Sequence, residues 1–343
     1  MAKIQNVQRE FFFDLSEAGE SIVKHTKYID LMQVHALCNR FGTRQGMEVA
    51  IESIEVGCQP GGAFNFTIQA LPTTWPLISG WEKTMRHWLK QQNEALKEAG
   101  AESMKAKYRD FKIFFDSEHQ AAGVSQNLIP SGFTAAAPPS GVGGYEWSAS
   151  ELVIPNAGAP GTTVERHVFA LGDDAGTGVG MIKAYAESRN RPHEEDPNIV
   201  TGEYGGVLAS MQDVGDDMDQ ILQNVSERNN EPPYVIDAFT GDEYYPGGSS
   251  GQGVGPIDQN GTQQPGHVVD ILSITANQNY NSDQTMRGFT APCGLLRLTY
   301  KATGVLPGAP ADAGMPPSPF WLKVTLAPGT YKGIAARTMV EAN

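Results

Sequence analysis

The chain has few of the features that announce chemistry. It has three cysteines, Cys38, Cys58 and Cys293, in 343 residues. They form no C-x-x-C pair and their number is odd. That argues against a disulfide framework or a zinc site, and buried free thiols are expected. Positive charge is scarce as well. Lys and Arg number 25 against 39 Asp and Glu, for a net charge of −14. The opening segment Met1–Arg9 carries only Lys3 and Arg9. A protein that wraps naked nucleic acid needs clustered cations to displace counterions, so extensive direct nucleic-acid binding is not expected. Long apolar runs are missing too. Phe11–Phe13 is far too short to span a bilayer, and no basic-then-apolar leader pattern opens the chain. Folding in the cytoplasm is the expectation.

Catalytic spacings are equally thin. Gly176-Thr177-Gly178-Val179-Gly180 lacks both the G-x-G-x-x-G and the G-x-x-x-x-G-K-[ST] spacing, and reads as a turn between strands. Gly251-Gln252-Gly253-Val254-Gly255-Pro256 fails in the same way. The seven histidines, His25, His35, His87, His119, His167, His193 and His267, form no H-x-x-x-H or H-E-x-x-H pair. No G-x-S-x-G elbow occurs. No catalytic, cofactor-binding or metal-ligating residue is therefore assigned, and the chain reads as a non-enzyme. One hard-ligand reading stays open beside a solvated acidic face with helix capping. Asp173-Asp174, Glu194-Glu195-Asp196 and Asp213, Asp216, Asp217 and Asp219 offer oxygens suited to Ca²⁺, without an EF-hand pattern.

Turn residues and period-two alternation are abundant. The hydrophobic share of 40% with 19% charged residues marks a globular chain. Its 38 glycines and 22 prolines, without collagen-like period, punctuate many short strands. Phe64–Gln69, Leu296–Tyr300 and Leu322–Leu326 alternate apolar and polar residues, as a half-buried strand requires. Between Glu48 and Val56 the phase slips near Ser53, which a β-bulge would explain. Strands are expected around 8–15, 22–37, 47–57, 63–71, 108–116 and 145–154. Further strands are expected around 163–171, 179–187, 233–239, 267–276, 294–301 and 320–327.

Two amphipathic helices interrupt this series. The first is expected over 79–99, with Ser79 and Glu82 as a capping box and Trp81, Met85, Trp88, Leu89 and Leu96 on one stripe. Glu82 and Arg86 pair at i,i+4, and Gly100 marks the stop. Trp81 and Trp88 are expected to pack the helix onto strands; an aromatic binding platform with Trp75 is the alternative. The second helix is expected over 213–228, opened by acidic residues and lined by Met218, Ile221, Leu222 and Val225. Each helix is bracketed by strands, so the order of elements suggests one plan used twice. The expected fold is all-β: two antiparallel jelly-roll sandwiches in tandem, residues 1–140 and 141–343, each with one inserted helix. Residues 117–144, 241–266 and 303–319 read as long loops, the first a candidate linker.

Several stretches resemble capsid proteins of small tailless icosahedral viruses, chiefly marine phages and environmental single-stranded DNA viruses. They are Lys27-Tyr28-Ile29-Asp30-Leu31-Met32-Gln33-Val34 running on to Asn39-Arg40-Phe41-Gly42-Thr43-Arg44-Gln45-Gly46, and Leu71-Pro72-Thr73-Thr74-Trp75. Trp147–Val153, Gly180–Tyr185 and Asn230–Tyr234 are similar as well. The resemblance implies a major capsid protein of the double jelly-roll type. Its expected partners are itself, as homotrimeric pseudo-hexagonal capsomers, then neighbouring capsomers, penton or spike proteins, and an internal membrane where the virion has one. The expected location is the virion, assembled in the host cytoplasm. The alternative is a virion spike or host-attachment module with lectin-like barrels, suggested by the 241–266 loop with Tyr244 and Tyr245. A β-sandwich carbohydrate-active enzyme is the third reading, supported only by acidic residues and tryptophans.

Overall fold

The computed structural model describes residues 7–15, 25–58, 64–106, 108–131, 147–155, 163–172, 178–182, 184–185, 269–275, 282–302 and 320–342. In chain order they form β1 (Glu10–Asp14), β2 (His25–Asp30), α1 (Leu31–Asn39), β3 (Met47–Cys58), β4 (Phe64–Ala70), α2 (Trp75–Glu98), α3 (Ser117–Ala122), β5 (Glu151–Pro155), β6 (Thr163–Phe169) and β7 (Gly178–Gly180). After these come β8 (Val269–Thr275), β9 (Ser282–Ala291), β10 (Leu295–Ala302), β11 (Phe320–Leu326), β12 (Pro328–Tyr331) and β13 (Ala336–Thr338). The chain is mostly sheet with few helices. It divides into two compact units, one of Met1–Pro72, Ala122–Ser148 and Val268–Ala342, the other chiefly of Thr73–Ala121 and Ala149–His267.

The first unit is a long antiparallel hairpin rolled on itself. Its first arm is β1, β2, β3 and β4, and its second arm returns as β8, β9, β10 and β11. The arms pair as β1 with β11, β2 with β10, β3 with β9 and β4 with β8, all antiparallel. Rolling places alternate pairs in different sheets. Pairing of β11 with β3 joins one sheet, and pairing of β10 with β4 joins the other. The resulting neighbours are β1-β11-β3-β9 and β2-β10-β4-β8.

Alternation explains the core between these sheets. Phe66, Ile68 and Ala70 are buried while Thr67 and Gln69 between them are less so. Leu322, Val324 and Leu326 are buried beside half-buried Lys323 and Thr325. These side chains meet Phe11, Phe13, Ile29, Val49, Ile51, Ile54, Val56, Leu296 and Leu298 in one hydrophobic cluster. At roughly 25 cal/mol per Å² of apolar surface, this burial is the main stabilising contribution to the unit. The expected bulge is present. Thr325 faces Ser53 but Leu326 faces Ile51, so Glu52 is the extra residue and points to solvent.

Beyond the bulge β3 keeps its neighbours by an unusual route. Ala327 N donates to the Ala50 carbonyl at 3.0 Å, and Ala50 N donates to the Ala335 carbonyl at 2.9 Å. Residues 328–334 leave the sheet between these two bonds, and β13 then resumes the line by pairing with Met47–Val49. The open side of β1 is also covered. Ser131 N donates to the Phe12 carbonyl at 2.6 Å and Gln8 Nε2 to the Glu10 carbonyl at 3.1 Å, which leaves that edge little to offer another strand.

The second unit packs α2 with a three-stranded sheet. β5 pairs antiparallel with β6, and β6 pairs parallel with β7. Trp81 and Trp88 lie 5.9 Å and 5.6 Å from the Phe111 ring, so the tryptophan stripe is helix packing. The helix begins earlier than Ser79. Pro76 occupies the first turn, where its missing N–H costs nothing, and Thr74 is the N-cap without a side-chain bond. The end is as expected. Gly100 has φ +61, and Ala101 N closes back on Leu96 O at 2.9 Å. Glu82 and Arg86 form the expected pair. At the edge of β5, the Gln91 side-chain amide receives the Val153 N–H (3.1 Å) and donates to the Val153 carbonyl (2.6 Å), standing in for a strand.

Two expectations are corrected. Residues 22–37 are not one strand, because β2 ends at Asp30 and Leu31–Asn39 is helical. Residues 108–116 make an isolated bridge, Phe114 with Phe169, and no strand. In the first unit, strands distant in sequence pair, with Glu10 facing Thr325 and Ile29 facing Leu296. Among the described residues a five-stranded and a four-stranded sheet form one sandwich. The helix expected over 213–228 and the strand over 233–239 lie outside the described residues.

Candidate functional site

The most elaborate polar construction in the first unit surrounds α1. Asp30 closes β2 and caps the helix; its Oδ1 accepts from Met32 N (2.9 Å) and Gln33 N (3.0 Å). Its Oδ2 accepts from Gln45 Nε2 (2.7 Å) and Trp147 Nε1 (2.8 Å). The carboxyl is 1% exposed. Burial pushes it up from 3.8 to about 6, against the pull of these four donors. Gln33 Oε1 accepts from Asn127 Nδ2 at 2.8 Å, also buried. These bonds tie Asn127 and Trp147 to the sandwich.

The far end of α1 meets the 328–334 excursion. Arg40 is the C-cap, in the left-handed region at φ +56. Thr43 Oγ1 donates to the Met32 carbonyl at 2.7 Å, holding the following loop under the helix. Arg44 N donates to Tyr331 Oη at 3.2 Å, and Lys332 Nζ donates to the Gly42 carbonyl. Lys332 is itself left-handed at φ +49, and its ammonium stands 5.7 Å over the Tyr331 ring. Beneath this rim lies His35, fully buried with neither ring nitrogen hydrogen-bonded. Burial first, and then the Lys332 charge, hold its imidazole down at about 4.

The outward face of β1 and β11 carries a second patch. Phe12 is 49% exposed and its ring lies 6.3 Å from Trp321. Lys323 sits 5.7 Å over Phe12 and pairs with Glu10 at 3.5 Å and Glu55 at 3.3 Å.

The remaining candidates do not converge. His25 stacks on Tyr300 at 5.3 Å. His87, on α2, is held at about 4 by burial and by Lys90 and Lys83. His119 and His167 flank the Phe114 ring at 5.0 Å and 5.7 Å, and His167 is 3.5 Å from Glu151. His119 Nδ1 accepts from Phe115 N, and its own N–H donates to Asp116 Oδ1, a local turn lock. Among the described residues no group of three or more His, Cys, Asp or Glu could hold a metal. The Ca²⁺ candidates (Asp173-Asp174, Glu194–Asp196 and Asp213–Asp219), with His193, His267, Tyr244 and Tyr245, lie outside them. Gly178–Gly180 is a strand, β7, and no phosphate loop. Cys38 and Cys293 are free thiols, and burial pushes Cys38 up to about 11. No described helix is long and apolar enough to cross a membrane.

No family model, curated protein or solved structure matches the chain. The reading of function therefore rests on the strand winding and on the surfaces just described. Sequence reasoning missed the Asp30 network and the Arg40–Lys332 rim. A signal for the first was present: Asp30 stands immediately before Leu31-Met32 with Val34 and Ala36 following, an N-cap in front of a helical run. The rim had none, because its two sides lie at opposite ends of the chain.

Proposed function

We propose that this protein is a structural shell subunit, a capsid-type protein whose copies pack side by side into an icosahedral virion. The observation that carries the reading is the strand order β1-β11-β3-β9 over β2-β10-β4-β8. This order supports a jelly-roll winding, the kind used by viral capsid and lectin domains among others. The family resemblance of Lys27–Gly46 falls on β2, α1 and the loop that leads into β3, all in the first unit. In this reading one sandwich per chain supplies the wall. The residues between β4 and β8 supply a second unit for contacts, and the tandem double sandwich is the alternative arrangement of the same function. The mechanism is association and not turnover. Large shared interfaces, in which apolar burial and covered strand edges hold neighbours together, would make the assembly stable. Expression of the chain followed by electron microscopy and light scattering tests this. Closed particles or regular capsomers are expected, with trimers as the smallest stable species. A stable monomer at micromolar concentration refutes it.

The exposed Phe12 ring beside Trp321 favours one second reading, a host-attachment module that stacks sugars on its outer sheet. A glycan array with reproducible hits, lost in Trp321→Ala, would support it over the shell.

A further inference from the structure

Cations are scarce in this chain, yet three of them share one rim of the sandwich. Arg40 and Arg44 lie two residues on either side of Gly42, whose carbonyl takes the Lys332 ammonium. All three residues are exposed. Two of them also sit on costly backbone. The described non-glycine residues with positive φ are Arg40, Lys332 and Cys293. An L-residue with a long side chain is strained in this region, where Gly or Asn fits better. Folding alone would favour those smaller residues at both positions.

Neither charge answers a need inside the fold. Arg40 makes no hydrogen bond or ion pair among the described residues. Lys332 bonds a carbonyl, which a neutral donor could also do. The Lys332 charge is felt inward, where it helps keep His35 neutral. The left-handed backbone ends α1 at Arg40 and turns the chain at Lys332, where Gly or Asn would serve; cations there point outward, to something the rim touches.

We propose that the rim of Arg40, Arg44 and Lys332 binds an acidic surface of a second copy of this chain. Charge complementarity selects that occupant. A net charge of −14 makes a sister molecule acidic on balance, so copies repel except where a cationic rim meets acidic surface. A nucleic-acid strand fits less well. Three cations neutralise few phosphates, giving a shallow salt slope and weak binding, and the acidic remainder opposes it. The contact is heterologous, rim to a different face. Contacts of that type close into rings or shells when the rotation permits. The inference deepens the shell reading and relies on it only for the presence of sister copies.

The test compares the full chain with Arg40→Asn/Lys332→Asn, which keeps left-handed-tolerant residues while removing two charges. Self-association is followed by sedimentation at about 50 mM and about 500 mM NaCl. The variant should associate about tenfold more weakly at low salt, the scale of two exposed ion pairs. The difference should vanish at high salt, and the thermal midpoint should stay level or rise as strain is relieved. A second variant, Arg40→Glu/Lys332→Glu, should weaken association further. Equal association by wild type and both variants overturns the inference while leaving the shell reading intact. A midpoint several degrees lower in the Asn variant overturns it too, because the cations then serve the fold. So does loss of single-stranded oligonucleotide binding with unchanged self-association, which would make the occupant nucleic acid. A wild type that stays monomeric at every salt concentration removes both proposals.

Discussion

Replacing His35 by Leu should make the protein more stable and flatten its response to acid. The side chain is fully buried on α1, packs 6.0 Å from the Phe41 ring, and leaves both nitrogens without a hydrogen-bond partner. An unsatisfied buried polar group costs about 1–3 kcal/mol, so a leucine of similar volume is expected to gain on that order at neutral pH. The pH dependence follows from the lowered pKa. The unfolded chain takes up a proton near 6.5, while the folded imidazole stays neutral until about 4. Between those values only the unfolded state gains the proton, so stability falls as pH drops from 6.5 towards 4. At about pH 4.5 the loss is about 2.5 kcal/mol. The wild-type curve alone would mislead. Asp30, raised to about 6, binds its proton more readily when folded, and stabilises the protein as pH falls through 6. His87 works in the same direction as His35. Both groups remain in His35→Leu, so the difference between the two curves isolates His35. Urea unfolding at several pH values measures it. Parallel curves, or a variant less stable at neutral pH by about 1 kcal/mol, would refute the reasoning.

Other substitutions probe the remaining elements. Trp147→Phe removes one of two donors on Asp30 Oδ2 and should cost about 2 kcal/mol in unfolding free energy; a change below about 0.5 kcal/mol would show that the indole bond is dispensable. A Cβ at Gly180 would run into the Gly172 carbonyl oxygen, a backbone atom, so Gly180→Ala should lower the thermal midpoint of the second unit, and an unchanged midpoint would contradict the β7 placement. Cys38, held up near 11 by burial, should react with a thiol reagent far more slowly at neutral pH than after unfolding; equal rates would show the thiol to be accessible and ionised.

The strands that could be read in advance are those with one wet and one dry face. Phe64–Gln69, Leu296–Tyr300 and Leu322–Leu326 lie in β4, β10 and β11, and the phase slip at Ser53 marks the neighbouring bulge at Glu52. The strand β9 was not legible. Ser282–Ala291 is largely polar, is broken by Gly288 at φ +70, and owes its place to nine residues of pairing with β3. The helix α1 was hidden for a different reason. Leu31–His35 is buried throughout, and Met32-Gln33-Val34-His35 alternates apolar and polar residues as a strand would. Only the Asp30 cap separates the two, and its bonds are visible only in three dimensions. The candidate rim is less legible still, because Lys332 reaches Gly42 across 290 positions.

Residue order along the chain settled the local questions. Alternating polarity placed the clearest strands, glycine stopped α2, and scarce cysteine and cation made a disulfide scaffold and a nucleic-acid wrapper poor readings. Tertiary structure decided which strands became neighbours, and among the described residues it joined strands from both ends of the sequence in one sandwich. The physical reason is that hydrogen-bond pairing between strands carries no sequence signature of its own. Its partner is chosen by the shared core that both strands help to bury.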